Sequence, residues 1–225
     1  MRLLAFISAL LGIAAPAGAQ GTTAPASVPG DPRYEKEVAA FEASDRTNPP
    51  ARGQIIFVGS STIVDWEPVK YFPDLKIINR GLWGSALIDT VRLVERIVLP
   101  YEPRLIVVYA GDNEIDAGFT SEDVAIQVER FAKTVHARLP QTRIVFIGIK
   151  PSPSRWLTID RARSTNEMIR DVCSRDDRLA YLDVDGVMLG WDEKPRKELY
   201  LSDGLHLSPQ GYQLWTTLLR PLLAP

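Results

Sequence analysis

Four short stretches of the 225-residue chain carry side chains that can do chemistry together. They are Gly59-Ser60-Ser61-Thr62, Asn79-Arg80-Gly81-Leu82-Trp83-Gly84, Gly111-Asp112-Asn113-Glu114 and Asp203-Gly204-Leu205-His206. The chemistry they suit is acyl transfer. A serine hydroxyl attacks poorly until an imidazole takes its proton. Of the two histidines, His136 and His206, only His206 falls in an expected loop beside the other three stretches. Asp203, three residues earlier, can hold that ring and stabilise its cation. The developing oxyanion needs donors aimed beforehand: the N–H at the nucleophile, a glycine N–H and a side-chain amide. Gly84 and Asn113 can supply the last two. Each stretch alone has a plainer reading, as a helix cap, turn glycines, an Asx turn or a surface ion pair. Their joint occurrence is what turns do not account for.

These residues need a scaffold, and the apolar pattern supplies one. Short apolar runs at Ile55–Val58, Ile77–Ile78, Leu105–Tyr109, Ile144–Ile149 and Leu179–Val184 read as buried strands. Helical patterns alternate with them. In 86–98, Leu87, Val91, Val94 and Val98 share a face while Asp89, Arg92 and Arg96 point away. In 121–139, Val124, Val128, Phe131, Val135 and Leu139 do the same, behind a Thr120/Asp123 capping box. A third helix spans Arg161–Cys173, and the last starts at Ser208 and Pro209 and ends before Pro221. Ahead of the first strand, Asp31 and Pro32 open a helix over 31–48 with Tyr34, Val38 and Phe41 on one stripe. Alternating strands and helices predict one three-layer α/β domain over 31–225, a parallel sheet covered on both faces. In such sheets ligands bind beyond the carboxyl ends of the strands, where the first three stretches fall.

In this order the four stretches resemble the blocks of the SGNH hydrolases, the GDSL-type esterase/lipase superfamily. The strand followed by Gly59-Ser60-Ser61 is similar to the first block and implies Ser61 as nucleophile. Asn79 to Gly84 is similar to the second, which implies Gly84 in the oxyanion hole. Gly111 to Glu114 resembles the third, implying Asn113 as the amide donor, and Asp203 to His206 the fifth. The resemblance covers the chain from about Gln54 onward. It implies a flavodoxin-like sheet of order 2-1-3-4-5 and ester hydrolysis without a cofactor. Two positions depart from the pattern: Ser60 stands in place of an aspartate, and so does Glu114.

Composition excludes several other classes. A formal net charge of −2 leaves no basic excess for a nucleic-acid partner. Cys173 is the only cysteine, so neither a disulfide framework nor a multi-cysteine zinc site is available, and no metal is expected. His136 reads as a helix residue, Cys173 as a core thiol, and Asp183 and Asp185 as turn acids. Trp83, Trp156 and Trp191 follow strand ends and could flank a substrate, although packing explains each as well. A glycan- or peptidoglycan-binding module would use those tryptophans, but would have no need of nucleophile, base, acid and two oxyanion donors. A phosphate cradle at Gly59–Thr62 would leave Asp203 and His206 unexplained. The expected partner is therefore a small-molecule or carbohydrate ester. Residues 1–19 pair Arg2 with an apolar run and an Ala17-Gly18-Ala19 site, the pattern of a cleaved export signal, and 20–30 reads as a flexible linker. No later segment is apolar enough to span a bilayer.

Overall fold

The computed structural model describes residues 32–224. The expected export signal, the linker and Asp31 lie outside the described residues. Five strands form the sheet: β1 (Ile55–Gly59), β2 (Ile77–Gly81), β3 (Leu105–Tyr109), β4 (Arg143–Ile147) and β5 (Leu179–Leu182). All neighbours pair in parallel, in the order β2-β1-β3-β4-β5. The helices are α1 (Glu35–Thr47), α2 (Ser61–Val64), α3 (Pro68–Tyr71), α4 (Leu87–Ile97), α5 (Asp112–Asp116), α6 (Ser121–His136), α7 (Ile159–Ser174) and α8 (Pro209–Leu219).

Alternation along the strands divides the core. Ile56 and Val58 of β1 face the side covered by α1, α4, α6 and α7, with Val38, Leu93, Phe131 and Ile169. Ile55 and Phe57 face the side covered by α2, α3 and α8, with Trp66, Phe72, Trp215 and Leu219. The central strands β1 and β3 are buried along their whole length, while β2 and β5 form the partly exposed edges.

Several expectations shift at their boundaries. Strand β2 runs on through Asn79, Arg80 and Gly81. The apolar run stops at Ile78 because Arg80 is buried as an ion, donating to Asp45 of α1 at 2.6 and 2.8 Å and to the Tyr101 hydroxyl at 2.9 Å. Strand β4 ends before Ile149, whose backbone N–H and C=O are both taken by the Asn166 side chain. Strand β5 ends before Asp183, which turns the chain by accepting the Asp185 N–H at 3.0 Å. Helix α1 starts at Glu35, with a turn over 32–34 where helix was expected. Its stripe holds, since Tyr34 and Val38 are buried and Phe41 packs on the same cluster. Asp89 does not point to solvent. It is 1% exposed, because at the third position of α4 it accepts the Ala86 N–H at 2.9 Å and meets the Arg33 guanidinium at 2.5 Å.

Candidate active site

The site grows from the turn between β1 and α2. Gly59 has φ of +136°, and a β-carbon there would lie 1.9 Å from the Tyr109 carbonyl oxygen. Only glycine lets β1 pass β3 this closely and turn at once into a helix. The Ser60 N–H then donates to that same carbonyl at 3.0 Å, fixing the turn on β3. Ser60 is buried and Ser61 begins the helix. Adjacent residues leaving a strand point in different directions, so the two hydroxyls cannot share one partner.

Asn79 braces this helix from β2. Its amide donates to the carbonyls of Ile63 at 2.6 Å and Trp66 at 3.2 Å, and accepts the Gly81 N–H at 2.9 Å. On the far side the Tyr212 hydroxyl of α8 donates to the Thr62 carbonyl at 2.9 Å. The short helix is thus held from two directions.

The loop before α8 brings the base. His206 Nε2 lies 3.0 Å from Ser61 Oγ, and Nδ1 lies 2.7 Å from Asp203 Oδ2. A carboxylate only accepts, so Nδ1 carries the proton and Nε2 is left to accept from the serine. The other Asp203 oxygen takes the N–H groups of Leu205 and His206 at 2.8 and 3.0 Å. The His206 hydrogen bond, with those two backbone donors, lowers the Asp203 carboxyl to about 2 against the opposing effect of burial. Asp203 is therefore a fixed anion.

The expected oxyanion donors sit on the two neighbouring loops. Gly84 has φ of +65° with open space where a side chain would be, so its glycine serves the backbone shape. Ser85, the next residue, donates its hydroxyl to the Gly59 carbonyl at 3.1 Å, joining this loop to the serine turn. Asn113 on α5 donates Nδ2 to the Ser85 carbonyl at 3.0 Å. The loops after β1, β2 and β3 are tied into one rim.

Glu114, where the resemblance has aspartate, has a structural task here. It is buried and accepts the N–H groups of Leu87 at 2.5 Å and Gly111 at 3.1 Å, bridging the start of α4 and the third stretch. Burial raises its pKa, and those donors oppose the rise.

The tryptophans separate. Trp83 is half-exposed with its ring centroid 5.8 Å from that of His206. Trp156 instead meets Lys194 and Arg163, and Trp191 projects into solvent. His136 caps its own loop through the Thr142 carbonyl at 2.9 Å. Cys173 is a buried free thiol pushed up to about 12 by burial. Asp183 and Asp185 pair with Arg170 and Arg163 at 2.7 and 3.0 Å. Among the described residues no cluster of three or more His, Cys, Asp or Glu could hold a metal ion.

Sequence reasoning missed a charged cluster under the rim. Lys150, with a fully buried side chain, donates to Asp112 at 2.8 Å and to the Tyr109 hydroxyl at 2.9 Å. Arg155 lies 3.2 Å from the same Asp112 oxygen. Burial opposes the charge on Asp112, but Lys150 and Arg155 outweigh it and leave the carboxyl below its ordinary value. The available signal was charge: Asp112 and Lys150 stand just past the ends of neighbouring strands.

Comparison with known proteins bears on the family and the fold. Residues 69–214 match the GDSL-like lipase/acylhydrolase family. Human platelet-activating factor acetylhydrolase IB subunit alpha1 is 27% identical over 198 residues, covering 82% of this chain and 80% of its own. The rat alpha2 subunit is 25% identical over 210 residues, covering 86% and 87%. A GDSL-like lipase from Bacteroides thetaiotaomicron shares the fold at a TM-score of 0.70 and 19% identity, covering 85% of this chain and 95% of that one. An acetyl xylan esterase does so at 0.63 and 15%, covering 76% and 99%. Through its sequence match and its 2-1-3-4-5 sheet, the chain belongs to the GDSL-like lipase/acylhydrolase family of SGNH hydrolases.

Proposed function

We propose that this acylhydrolase is an exported serine esterase that cleaves short-acyl carboxylic esters through an acyl-serine intermediate. The observation that carries the reading is the unbroken line from Ser61 Oγ to His206 Nε2 at 3.0 Å and from His206 Nδ1 to Asp203 at 2.7 Å. Ser61 Oγ attacks the carbonyl carbon as its proton passes to His206 Nε2. The carbonyl oxygen becomes an oxyanion held by the Ser61 and Gly84 N–H groups and Asn113 Nδ2. Collapse breaks the ester C–O bond, and His206 returns its proton to the departing alkoxide. Water, deprotonated by the same imidazole, then attacks the acyl-serine; the acyl C–Oγ bond breaks, Ser61 Oγ takes that proton back from His206, and the acid leaves. Asp203 keeps the imidazole in the required tautomer throughout.

Short acyl groups are favoured by an open site, in which the Asp203 side chain is 46% and that of His206 23% exposed. The acetyl group also recurs in the names of the relatives, an acetylhydrolase and an acetyl xylan esterase. Carbohydrate acetates and small acetyl esters are accordingly the substrate classes to try. Export rests on residues 1–19, and N-terminal sequencing of the mature protein should begin near Gln20.

A fluorophosphonate should label the protein at Ser61, read by peptide mass spectrometry, and the acetyl member should be turned over fastest in a series of graded acyl length. Ser61→Ala should lose labelling and about 10³-fold or more of kcat, while Ser60→Ala keeps measurable turnover. Labelling at Ser60 would move the nucleophile by one residue. No labelling at either serine would favour a binding module on the same fold.

A further inference from the structure

We propose that Arg155 is a positioning residue that fixes the amide of Asn113 for oxyanion binding; the proposal rests on the esterase reading above. Arg155 lies on the turn Pro153–Thr158 that follows β4, with its side chain 15% exposed. Its Nη2 donates to Asn113 Oδ1 at 2.9 Å. A guanidinium has donors only, so it accepts no amide nitrogen in that place. The Ser85 carbonyl, an acceptor only, takes Asn113 Nδ2 at 3.0 Å. A flipped amide would therefore set donor against donor and acceptor against acceptor. Two contacts from opposite sides choose one orientation, and they leave the second N–H of Nδ2 uncommitted. That is the hydrogen an oxyanion would accept.

The guanidinium is itself held. Its Nη1 lies 3.2 Å from Asp112 Oδ2, an oxygen that also accepts from Lys150 Nζ at 2.8 Å and the Tyr109 hydroxyl at 3.0 Å. Its Nη2 lies 3.6 Å from Asp116, a partly exposed carboxylate. Burying Lys150 and Asp112 costs desolvation that a packed apolar pair would avoid. An anchored fork that spans Asp112 and the neighbouring Asn113 gives that cost a use. Lys150 cannot do the same work, because it reaches Asp112, Tyr109 and Thr62. Holding a donor before charge develops is where an oxyanion site gains most, since nothing must reorganise during reaction.

The test is a double-mutant cycle with Asn113 on an acetyl ester. Arg155→Met keeps the aliphatic stem and should lower kcat by about tenfold or more with KM within about twofold, since a misplaced group costs rate rather than binding. Asn113→Ala should lower kcat by roughly 10²-fold or more. On that background Arg155→Met should cost less than about twofold further, because no amide remains to be positioned. Arg155→Lys retains a cation for Asp112 and guards against a folding defect. It cannot span both partners, so it should also lose kcat. Full activity in Arg155→Lys, or losses that multiply in the double mutant, would overturn the proposal, as would a change in KM alone. If Asn113→Ala itself leaves kcat intact, the oxyanion assignment fails instead, and that outcome is separate.

Discussion

The indole of Trp83 meets the imidazole of His206 edge-on, with ring centroids 5.8 Å apart and planes inclined at 61°. In the proposed reaction His206 protonates the departing alcohol, so that alcohol must pass close to the indole. Trp83 is 52% exposed, and Trp83→Ala should change stability by less than about 1 kcal/mol. KM should rise several-fold, more for an aryl acetate than for a small alkyl acetate. Steady-state kinetics on the two esters decide the matter. A fall in kcat at constant KM would mean that Trp83 serves His206 and not the substrate.

The low pKa of Asp203 sets the shape of the pH profile. Held to about 2 chiefly by the His206 hydrogen bond, it stays ionised well below any assay range. The acid limb of kcat/KM then reports one protonation, that of the base, which as imidazolium can accept nothing. A log–log slope of one is expected, and a slope of two would expose a second essential carboxylate. The linkage has a definite sign. A carboxyl lowered on folding adds stability above its unfolded value of about 3.9 and loses that contribution as pH falls towards 2. Asp203→Asn should leave the fold intact and reduce kcat by roughly 10³ to 10⁴ through the wrong tautomer.

Two glycines at the rim should respond differently to alanine. At Gly59 the added carbon meets backbone at 1.9 Å, which cannot move without parting β1 from β3. Gly59→Ala should cost about 4 kcal/mol or more, seen as a large drop in Tm or as failure to fold. At Gly84 the new carbon meets nothing, and only the left-handed backbone is strained. Gly84→Ala should cost roughly 1–2 kcal/mol while depressing kcat, because its N–H is the part that matters. Equal losses of stability at the two positions would contradict this contrast.

The apolar runs announced the sheet because β1 and β3 are buried on both faces and contain little else. Sequence was less informative where buried positions are polar. Arg80 hid the second half of β2, since its charge is neutralised by Asp45, a residue 35 positions away that no local pattern connects to it. Asp89 escapes the pattern for the same reason: Arg33 and Tyr34 cover it from the turn ahead of α1, outside its own helical period. Ser61, Asp203 and His206 stood out because their chemistry is unusual in combination. Lys150 and Arg155 did not, because a lysine or arginine after a strand reads as solvated until its partners are seen.

The hydrogen bond between Ser61 and His206 joins residues 145 positions apart in the chain. Nothing local holds them together; each is fastened to a different strand end or to the loop before α8. Closing so long a loop is entropically costly, and the sheet and its flanking helices must exist before the two groups can meet. A partly folded chain would carry every reactive group and still be chemically inert. Esterase activity is thus a read-out of the completed architecture, and partial unfolding of any one of these anchors switches it off at once.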